Sequence, residues 1–382
     1  MKNKLSYIYL LLNLKIVFTL AFLLRKIHPL LSRKKKGDLI LFPYSQKGSD
    51  GYKRRFQEYF EFLHKENIKF KVCDILNDQE ILKSYEGTPT MRYKLFRKIL
   101  WTRLYQVLEA RHYKAAFIHR GLFPYYPDLS EPHFEKLLRK LNNNITIDFW
   151  DSVWLYSGEK LIKETVLYCD KISVVNEFIA DYFKFSTKPK ILFPIGVNLN
   201  DYKTKTEFNI SNPVKLFYTG GPGNVRNFIK LISPILIDIK YKFDIKLIIV
   251  TRARIYHDDI NIEYHDFNET TFYEILENCD IGLYKVMPDD ESKGKMAMKV
   301  LDCMSSGLPI ICSPYGLSPY AINDENCLYA QDKNDWIDKL ETLIKDQVLR
   351  EKLSRNSLIM MNDKHSINRS FEEFKKIFHN KY

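Results

Sequence analysis

The 382-residue chain lacks the paired cysteines that mark metal fingers and disulfide-stapled domains. Its six cysteines include no C-x-x-C pair, and none has a histidine at metal-ligand spacing. Four of them lie in apolar runs or at their edges, so we interpret all six as reduced, mostly buried thiols of a cytosolic protein. We expect no metal site.

Internal repeats and nucleic-acid motifs are also missing, and the one biased tract is a basic run at residues 33–36. The length predicts about two domains. A net charge of +12, from 59 Lys plus Arg against 47 Asp plus Glu, suits phosphate-bearing substrates, anionic lipid or nucleic acid. Because no RNA- or DNA-reading motif accompanies this charge, we expect no nucleic-acid partner.

A twenty-residue apolar stretch, Leu5–Leu24, is long enough to cross a bilayer, but Asn13 and Lys15 interrupt it near its centre. A central lysine costs about 2.5–3.5 kcal/mol, whereas each apolar residue returns only about 0.3–0.6 kcal/mol, so insertion is marginal. The polar positions do not share one helical face, which argues against a regular in-plane helix as well. No A-x-A cleavage site follows, so we do not expect a cleaved signal peptide.

The basic residues that follow, between Arg25 and Lys36, favour anionic lipid and would hold the next domain on the cytoplasmic side. We therefore expect residues 1–36 to attach the chain to the cytoplasmic face of a membrane, as an anchor or an in-plane helix. The alternative is an extra helix packed on the protein.

Short apolar strands alternate with helices from residue 38 onward, which predicts a doubly wound α/β fold. Polar residues stand at two strand ends: His119 and Arg120 at one, Asp148 and Asp151 at the next. Ligands bind outside the carboxyl ends of parallel strands, so we expect these four side chains to face one crevice. Two aspartates three residues apart are otherwise a common turn or helix cap.

Two basic segments of the first half have weaker signals. The glycine-containing loop after the first strand carries Lys53, Arg54 and Arg55, which is consistent with acceptor binding. A helix predicted over Met91–His112 has a basic face that includes Arg103. This face is either solvated or a second contact with an anionic membrane surface.

A glycine-rich turn opens the second half of the chain. A strand ending at Thr219 is followed by G-G-P-G, and we expect the next helix to begin near Arg226. The amides exposed by Gly220 and Gly221, with a cation at the helix entry, form a geometry that cradles phosphate.

The most informative segment runs from Lys293 to Gly316. It predicts a loop, a helix over Met296–Ser306 that Gly307 ends in a left-handed conformation, and a short buried strand. Three lysines (293, 295 and 299) gather at the helix start, where free N–H groups and the helix dipole are already positive. We expect a phosphate in front of them; the alternative is a solvated basic loop.

This segment resembles the donor-binding motif of retaining glycosyltransferases of the GT-B fold, family 4 (glycosyl transferases group 1), in a subgroup with a G-K-x-x-x-K signature. The resemblance implies two Rossmann-like domains facing a cleft, and metal-independent transfer with retention from a nucleotide-diphosphate sugar to a polysaccharide or lipid-linked acceptor. It implies no cofactor beyond this co-substrate. The implied domains are an acceptor domain, 37–200, with 361–382 packing back on it, and a donor domain, 201–360.

The resemblance also assigns roles to individual residues. Arg226 would contact the diphosphate, the loop containing Phe267 the base, and Asp302 the ribose hydroxyls. The implied catalytic residues on the acceptor side are His119, Arg120, Asp148 and Asp151. The implied donor-binding residues are Gly220, Gly221, Arg226, Phe267, Lys295, Lys299 and Asp302.

We therefore expect a membrane-associated glycosyltransferase of surface polysaccharide or glycolipid assembly, with a nucleotide sugar, a glycan or glycolipid acceptor and an anionic membrane surface as partners. One alternative is a sugar-nucleotide epimerase of the same fold, which would need catalytic carboxylates across the cleft. Another is a catalytically inactive sugar-nucleotide binder. Gly294 favours it, because the family has an acidic residue at that position.

Overall fold

The computed structural model describes residues 2–31, 34–44, 47–77, 79–80, 87–123, 131–252, 254–317 and 320–378. The chain divides into two compact units. Unit 1 comprises 1–175, 179–195 and 371–382, and unit 2 comprises 176–178 and 196–370. The second unit thus starts its main stretch at residue 196, where the sequence predicted 201. The return to unit 1 comes at 371, where the sequence predicted 361.

Unit 1 is built on a six-stranded parallel sheet in the order β2-β1-β3-β4-β5-β6. Its central strands are almost wholly buried, as expected when helices cover both faces of a sheet, and they carry a few buried polar side chains such as Asp148 and Ser173. The strand order reverses between β1 and β3, which makes this point the topological switch of the sheet. The strands are β1 (Gly37–Phe42), β2 (Phe70–Val72), β3 (Tyr113–His119), β4 (Ile145–Phe149), β5 (Lys171–Val174) and β6 (Lys190–Leu192).

The helices of the first half are α1 (Lys2–Ile27), α2 (Asp50–Arg55), α3 (Phe60–Lys65), α4 (Pro89–Glu109), α5 (His133–Leu141), α6 (Trp154–Ser157), α7 (Glu159–Thr165) and α8 (Glu177–Tyr182). Helices α2 and α3 are separated by a short 3-10 turn, Gln57–Tyr59. The break lets Arg55 end α2 inside the unit, where it is fully buried.

Unit 2 carries a second six-stranded parallel sheet, in the order β12-β11-β10-β7-β8-β9. Its switch point lies between β7 and β10. The strands are β7 (Val214–Thr219), β8 (Ile245–Val250), β9 (Ile262–His265), β10 (Ile281–Tyr284), β11 (Ile310–Cys312) and β12 (Leu328–Tyr329).

The helices of the second half are α9 (Pro222–Lys240), α10 (Glu269–Glu277), α11 (Asp290–Lys293), α12 (Met298–Ser306), α13 (Lys333–Lys345), α14 (Gln347–Met360) and α15 (Ile367–Phe378). Gly307 ends α12 with φ +71°, as predicted. A Cβ on Gly307 would come within 2.7 Å of Ser354 Oγ, so close packing and backbone conformation both require glycine there.

The end of α15 belongs to unit 1, where Phe374 packs against Tyr59 and Phe193 with ring centroids 5.0 and 5.6 Å apart. Its last carbonyl groups have no partner within the helix. Lys171 Nζ donates to Ile377 O at 2.9 Å and Asn144 Nδ2 to Phe378 O at 2.9 Å. Side chains of the sheet therefore complete the end of this helix.

Helix α1 packs along α4 and α5 of the same unit. Its inward face buries Leu10, Leu14, Val17 and Ala21, which are spaced three or four residues apart. Asn13 lies on this side: its Oδ1 accepts from Trp101 Nε1 at 3.0 Å, and its Nδ2 donates to Tyr9 O at 2.8 Å. The polar residue that interrupts the apolar stretch is thus satisfied by the protein.

The opposite face of α1 is mainly apolar, with Lys15 and Thr19 exposed among its apolar residues, and it is uncovered by the described residues. Its large apolar side chains are about half exposed, and they too recur at helical spacing: Leu5, Ile8, Leu12, Ile16, Leu23 and Ile27. By length and composition, Lys4–Leu30 is the one described segment that could cross a membrane, and 28% of its most apolar window is buried inside the protein.

Two further sequence expectations can be compared with the fold. All six cysteines are buried and free, as predicted. The prediction that Arg103 lies on an outward basic face is wrong, because this residue is fully buried. Its guanidinium donates to Cys73 O at 3.2 Å and Gln106 Oε1 at 2.9 Å, so Arg103 ties α4 to the sheet edge.

Candidate functional site

The switch point of unit 2 combines a glycine turn with a helix start. Strand β7 ends at Thr219, Gly220 and Gly221 follow, and α9 begins at Pro222. No side chain caps this helix, so its first N–H groups are open to a ligand. Helix α9 starts four residues earlier than predicted. Arg226 therefore lies one turn inside it, exposed, rather than at its first residue.

Lys299 lies at this switch point, on the first turn of α12. Its ammonium group is 5.6 Å from the ring centre of Tyr218, near the end of β7, and 6.0 Å from that of Tyr284, the last residue of β10. A Cβ on Gly220 would be 3.0 Å from Lys299 Cε, so the lysine also lies against the glycine turn. The residues bracketing the switch point thus enclose this cation.

Within the described part of the chain, no acidic side chain forms an ion pair with Lys299. Burial, with the nearby charge of Lys295, lowers the pKa of Lys299 to about 8. The charge of Asp302 offsets only part of this lowering, and a desolvated cation with no ion-pair partner is unfavourable unless an anion binds. Open helix N–H groups, a glycine turn and this lysine together make a site suited to phosphate.

The other two lysines of the cluster are arranged differently. Lys293 pairs with Asp290 at 3.2 Å, and Lys295 pairs with Glu291 one turn earlier in the chain. These two lysines therefore already have carboxylate partners, and donor binding by Lys295 stays a prediction. The pairing also occupies Glu291, the carboxylate closest in sequence to Gly294.

The loop that carries Lys295 is held tightly. Asn176 Nδ2 donates to the carbonyls of Lys293 and Lys295, at 3.1 and 3.3 Å. Gly316, with φ +69°, lies so close that a Cβ would be 2.5 Å from Lys295 O. The hydroxyl of Tyr320 accepts from Ala297 N at 3.1 Å and donates to Gly316 O at 3.0 Å. These contacts fix the start of α12.

Asp302 is buried one turn after Lys299, with 6% of its surface exposed. Its Oδ1 accepts a hydrogen bond of 2.6 Å from the hydroxyl of Tyr202. From Tyr202, ring contacts lead through Tyr273 and Phe272 to Phe267, which is 42% exposed. Asp302, predicted to contact the ribose, and Phe267, predicted to contact the base, are thus connected by a series of contacting aromatic side chains.

The switch point of unit 1 brings together Tyr44, which follows β1, and Arg120, which follows β3. The Arg120 guanidinium lies 5.1 Å from the ring centre of Tyr44 and 5.7 Å from that of Trp150, and it pairs with the Asp151 carboxylate. Arg120 has φ +64°. A non-glycine residue in this left-handed region costs about 1–2 kcal/mol and is a feature of functional sites.

Asp148, by contrast, is closed off inside the sheet. Arg55 binds both of its oxygens, Nε to Oδ2 at 2.8 Å and Nη2 to Oδ1, and Ser173 Oγ donates to Oδ1 at 2.7 Å. Arg55 also donates to Phe193 O at 2.9 Å. Both charged side chains are fully buried. The structure therefore does not bring Asp148 to the surface beside Arg120 and Asp151.

His119 is also fully buried, between the rings of Phe56 and Trp150. Neither ring nitrogen has a hydrogen-bond partner within the described ranges. Burial, together with the charges of Arg120 and Arg55, holds the pKa of His119 well below its usual range. A neutral imidazole therefore fills the space behind Arg120.

Sequence reasoning missed the aromatic residues of both sites. Tyr44, Tyr218 and Tyr284 all stand near the ends of strands that flank a switch point. The sequence does not give the strand order, and only the strand order shows that these positions flank a ligand-binding switch point. Sequence reasoning also placed Arg55 in a loop consistent with acceptor binding. This is wrong for Arg55, because its side chain is buried against Asp148.

Comparison with known proteins gives one family match, which lies within unit 2. Residues 215–346 match the sequence profile described as "Glycosyl transferases group 1". This confirms the prediction of a transferase-type enzyme, with a glycosyltransferase group 1 domain in its second half. A search of curated proteins gave no significant match.

Solved structures confirm the predicted fold class, GT-B. Sucrose-phosphate synthase from Thermosynechococcus elongatus is 13% identical with a TM-score of 0.65, over 90% of this chain and 98% of that one. A glycosyltransferase from Rickettsia africae is 12% identical with a TM-score of 0.63, over 91% and 100%. Anabaena HepE, solved in complex with UDP and glucose, is 10% identical with a TM-score of 0.58, over 89% and 99%.

We predict that Asp148→Asn lowers the free energy of unfolding by about 3–5 kcal/mol, because it leaves the buried charge of Arg55 without its partner. Urea unfolding measures the change. Glu159→Gln is the matched control, since Glu159 pairs with Lys163 on the surface. This control should change stability by no more than about 0.5 kcal/mol. A loss below about 1 kcal/mol for Asp148→Asn would contradict a structural role of the pair.

We predict that Lys299 reacts with an amine-labelling reagent with a midpoint near pH 8, far below an ordinary lysine. Below that pH the amine is protonated and unreactive, and above it the amine is neutral and reactive. Labelling across pH 6–11, followed by mass spectrometry, measures the midpoint. Lys295→Gln removes a cause of the shift and should move the midpoint upward. A midpoint at the ordinary lysine value would contradict the burial of an unpaired cation.

Proposed function

We propose that this protein transfers a sugar from a nucleotide-diphosphate sugar to a polysaccharide or lipid-linked acceptor, with retention and without a metal ion. The observation that carries the proposal is Lys299, a cation without an acidic partner in the described chain, at the switch point of the group 1 domain. In an open parallel sheet this is the point where nucleotides bind.

In the proposed reaction, an acceptor hydroxyl oxygen forms a bond to the anomeric carbon of the donor. The bond from that carbon to the diphosphate oxygen breaks, and its electron pair leaves with the diphosphate. The hydroxyl proton passes to the departing diphosphate, whose negative charge grows at the same time. Groups fixed in advance around that charge lower the barrier, as an oxyanion hole does.

The chain's own groups suit this task. The ammonium of Lys299 and the free N–H groups at the start of α9 would hold the diphosphate, and Arg226 is exposed one turn further along α9. Asp302, oriented by Tyr202, would bind ribose hydroxyls, and Phe267 would contact the base. On the acceptor side, Arg120 and Asp151 are the accessible pair, and Asp148 and His119 would position them from behind.

We further propose that α1 lies in the plane of the cytoplasmic membrane surface rather than crossing it. Its inner face packs on α4 and α5, while its outer face is mainly apolar and also carries the exposed Lys15, whose ammonium group would reach the head groups. Crossing the bilayer would carry exposed cations of α4, such as Arg92 and Lys94, into hydrocarbon at a cost of about 2.5–3.5 kcal/mol each. In the plane, those cations would meet anionic head groups.

A catalytically inactive sugar-nucleotide binder is the second candidate. Two observations favour it: Gly294 stands where the resembled family has an acidic residue, and Lys295 engages the neighbouring carboxylate of Glu291. Nucleotide binding without turnover of any nucleotide sugar would support this candidate.

We predict that one nucleoside diphosphate stabilises the full chain in a thermal-shift screen of UDP, GDP, ADP and CMP and their sugars. Ligand at about 100 times its dissociation constant adds about 2.7 kcal/mol. Lys299→Ala and Arg226→Ala should lose the shift, because each removes a cation from the diphosphate. Lys230→Ala is the matched control, since Lys230 is exposed one turn further along α9.

The outcome of that screen decides between the candidates. A folded protein that responds to none of the nucleotides would contradict the proposal. The responding nucleotide sugar is then tested for slow hydrolysis. Hydrolysis that a chelator does not affect would support metal independence. A first-formed free sugar with the same anomeric configuration as the donor would support retention. Binding with no turnover, with or without acceptor, would favour the inactive binder.

We predict that the full chain co-sediments with vesicles containing anionic phospholipid, and that Leu12→Glu/Ile16→Glu abolishes this binding. The two side chains are 51% and 50% exposed on the outer face of α1, so charges there oppose burial in lipid. Val348→Glu/Ile359→Glu is the matched control, because it charges two exposed apolar positions in unit 2. Equal loss of binding in both variants would contradict a membrane role for α1.

A further inference from the structure

A cavity of about 610 Å³ lies within unit 1 and opens on its switch point. It is bordered by Tyr44 and Arg120, which follow the two strands where the order reverses, and by Gly121. Its volume is in the range of small-molecule sites, and its position is where ligands bind in open parallel sheets. The proposed reaction places the acceptor on this side, but the switch point alone does not say what the cavity holds.

The walls of the cavity are mostly aromatic and aliphatic, and one of them is the N-terminal helix. Phe18 of α1 lines the cavity, stacked on His133 with ring centroids 4.1 Å apart and at an angle to Phe134 at 5.9 Å. Phe96 of α4 and Leu161 of α7 line other sides. Helix α1 therefore has two apolar faces. One lines the cavity and the other is exposed.

The charged groups at the cavity are two arginines and two carboxylates, and Arg92 is the arginine that has no carboxylate partner among the described residues. Arg92 lines it with an exposed side chain whose Nε donates to Gly87 O at 3.3 Å, and no acidic side chain in the described ranges pairs with it. Arg120 is the second cation, paired with Asp151. Glu135 is buried and accepts from Leu122 N at 2.8 Å, and burial keeps His133 neutral by lowering its pKa. An anion near Arg92 would thus be favoured.

We infer that this cavity binds the anchor of a lipid-linked acceptor: a hydrocarbon chain against Phe18, Phe96 and Leu161, and its phosphate or diphosphate between Arg92 and Arg120. The inference rests on the proposed function and narrows its acceptor to a lipid phosphate. Helix α1 then has two roles, one for each of its faces. Its outer face holds the protein on the membrane, and its inner face guides the lipid into the site.

The test is titration calorimetry of the full chain in a nonionic detergent with geranyl phosphate, geraniol and inorganic phosphate. Geranyl phosphate should bind at least tenfold more tightly than either other probe, because only it satisfies both the apolar walls and the arginines. Phe18→Ala, Leu161→Trp and Arg92→Gln should each weaken it at least fivefold. The matched controls Phe22→Ala and Lys94→Gln change exposed residues of the same two helices and should stay within twofold.

Each other outcome overturns the inference. Equal binding of inorganic phosphate, unchanged by Phe18→Ala and Leu161→Trp, would show a site for free phosphate. Equal binding of geraniol would show an apolar cavity that ignores the head group, and absence of binding would show that the cavity is not a lipid site. Nucleotide-induced stabilisation is measured in the same samples. If it persists while geranyl phosphate fails, only this inference fails. If it is absent while geranyl phosphate binds, the proposed function fails instead.

Discussion

The buried ion pair of Arg55 and Asp148 is the contact on which unit 1 depends. It joins the end of α2 to β4, and through Ser173 and the carbonyl of Phe193 it reaches β5 and the segment after β6. Two desolvated charges are tolerable only because nearly every polar atom finds a partner. With Asp148 fixed in this way, the backbone after β3 can turn at Arg120, whose N–H donates to Asp148 O at 2.8 Å. The rigid interior thus positions the partly buried pair of Arg120 and Asp151.

The main electrostatic feature of unit 2 is its cluster of three lysines. Its lysine cluster divides into two surface ion pairs and one partly buried cation, Lys299, without a paired carboxylate among the described residues. Tyrosine rings near the ends of β7 and β10 offer that cation their faces, which are attractive but far weaker partners than an anion. A site that is positive and pre-arranged loses little in reorganisation when a diphosphate arrives. This is why the same lysine serves both the binding of the donor and the departure of the leaving group in the proposed reaction.

Helix α1 shows how packing changes the interpretation of an apolar segment. An isolated helix with Asn13 and Lys15 near its centre would be a poor membrane span and an irregular in-plane helix. Packing changes the second conclusion and leaves the first in place. Trp101 and the Tyr9 carbonyl satisfy Asn13 on the inner side, and the apolar residues left outside recur at helical spacing, with the exposed Lys15 among them. Because Phe18 also lines the unit 1 cavity, attachment to a membrane and binding of an acceptor would be properties of one helix.

Local patterns in the sequence determined much of this protein. Apolar runs placed the strands, Gly307 and G-G-P-G placed a helix end and a phosphate turn, and the Lys293–Gly316 segment pointed to the glycosyltransferase group 1 domain. Those features depend on residues close together in the chain. The strand order, the burial of Arg55 and Arg103, the pairing of Lys293 and Lys295, and the two faces of α1 were decided only by tertiary structure. Each depends on which distant residue supplies a counter-charge, a hydrogen bond or an apolar surface. Such partners leave no periodic trace in the sequence, and a charged residue looks the same there whether it is solvated, paired or awaiting a ligand.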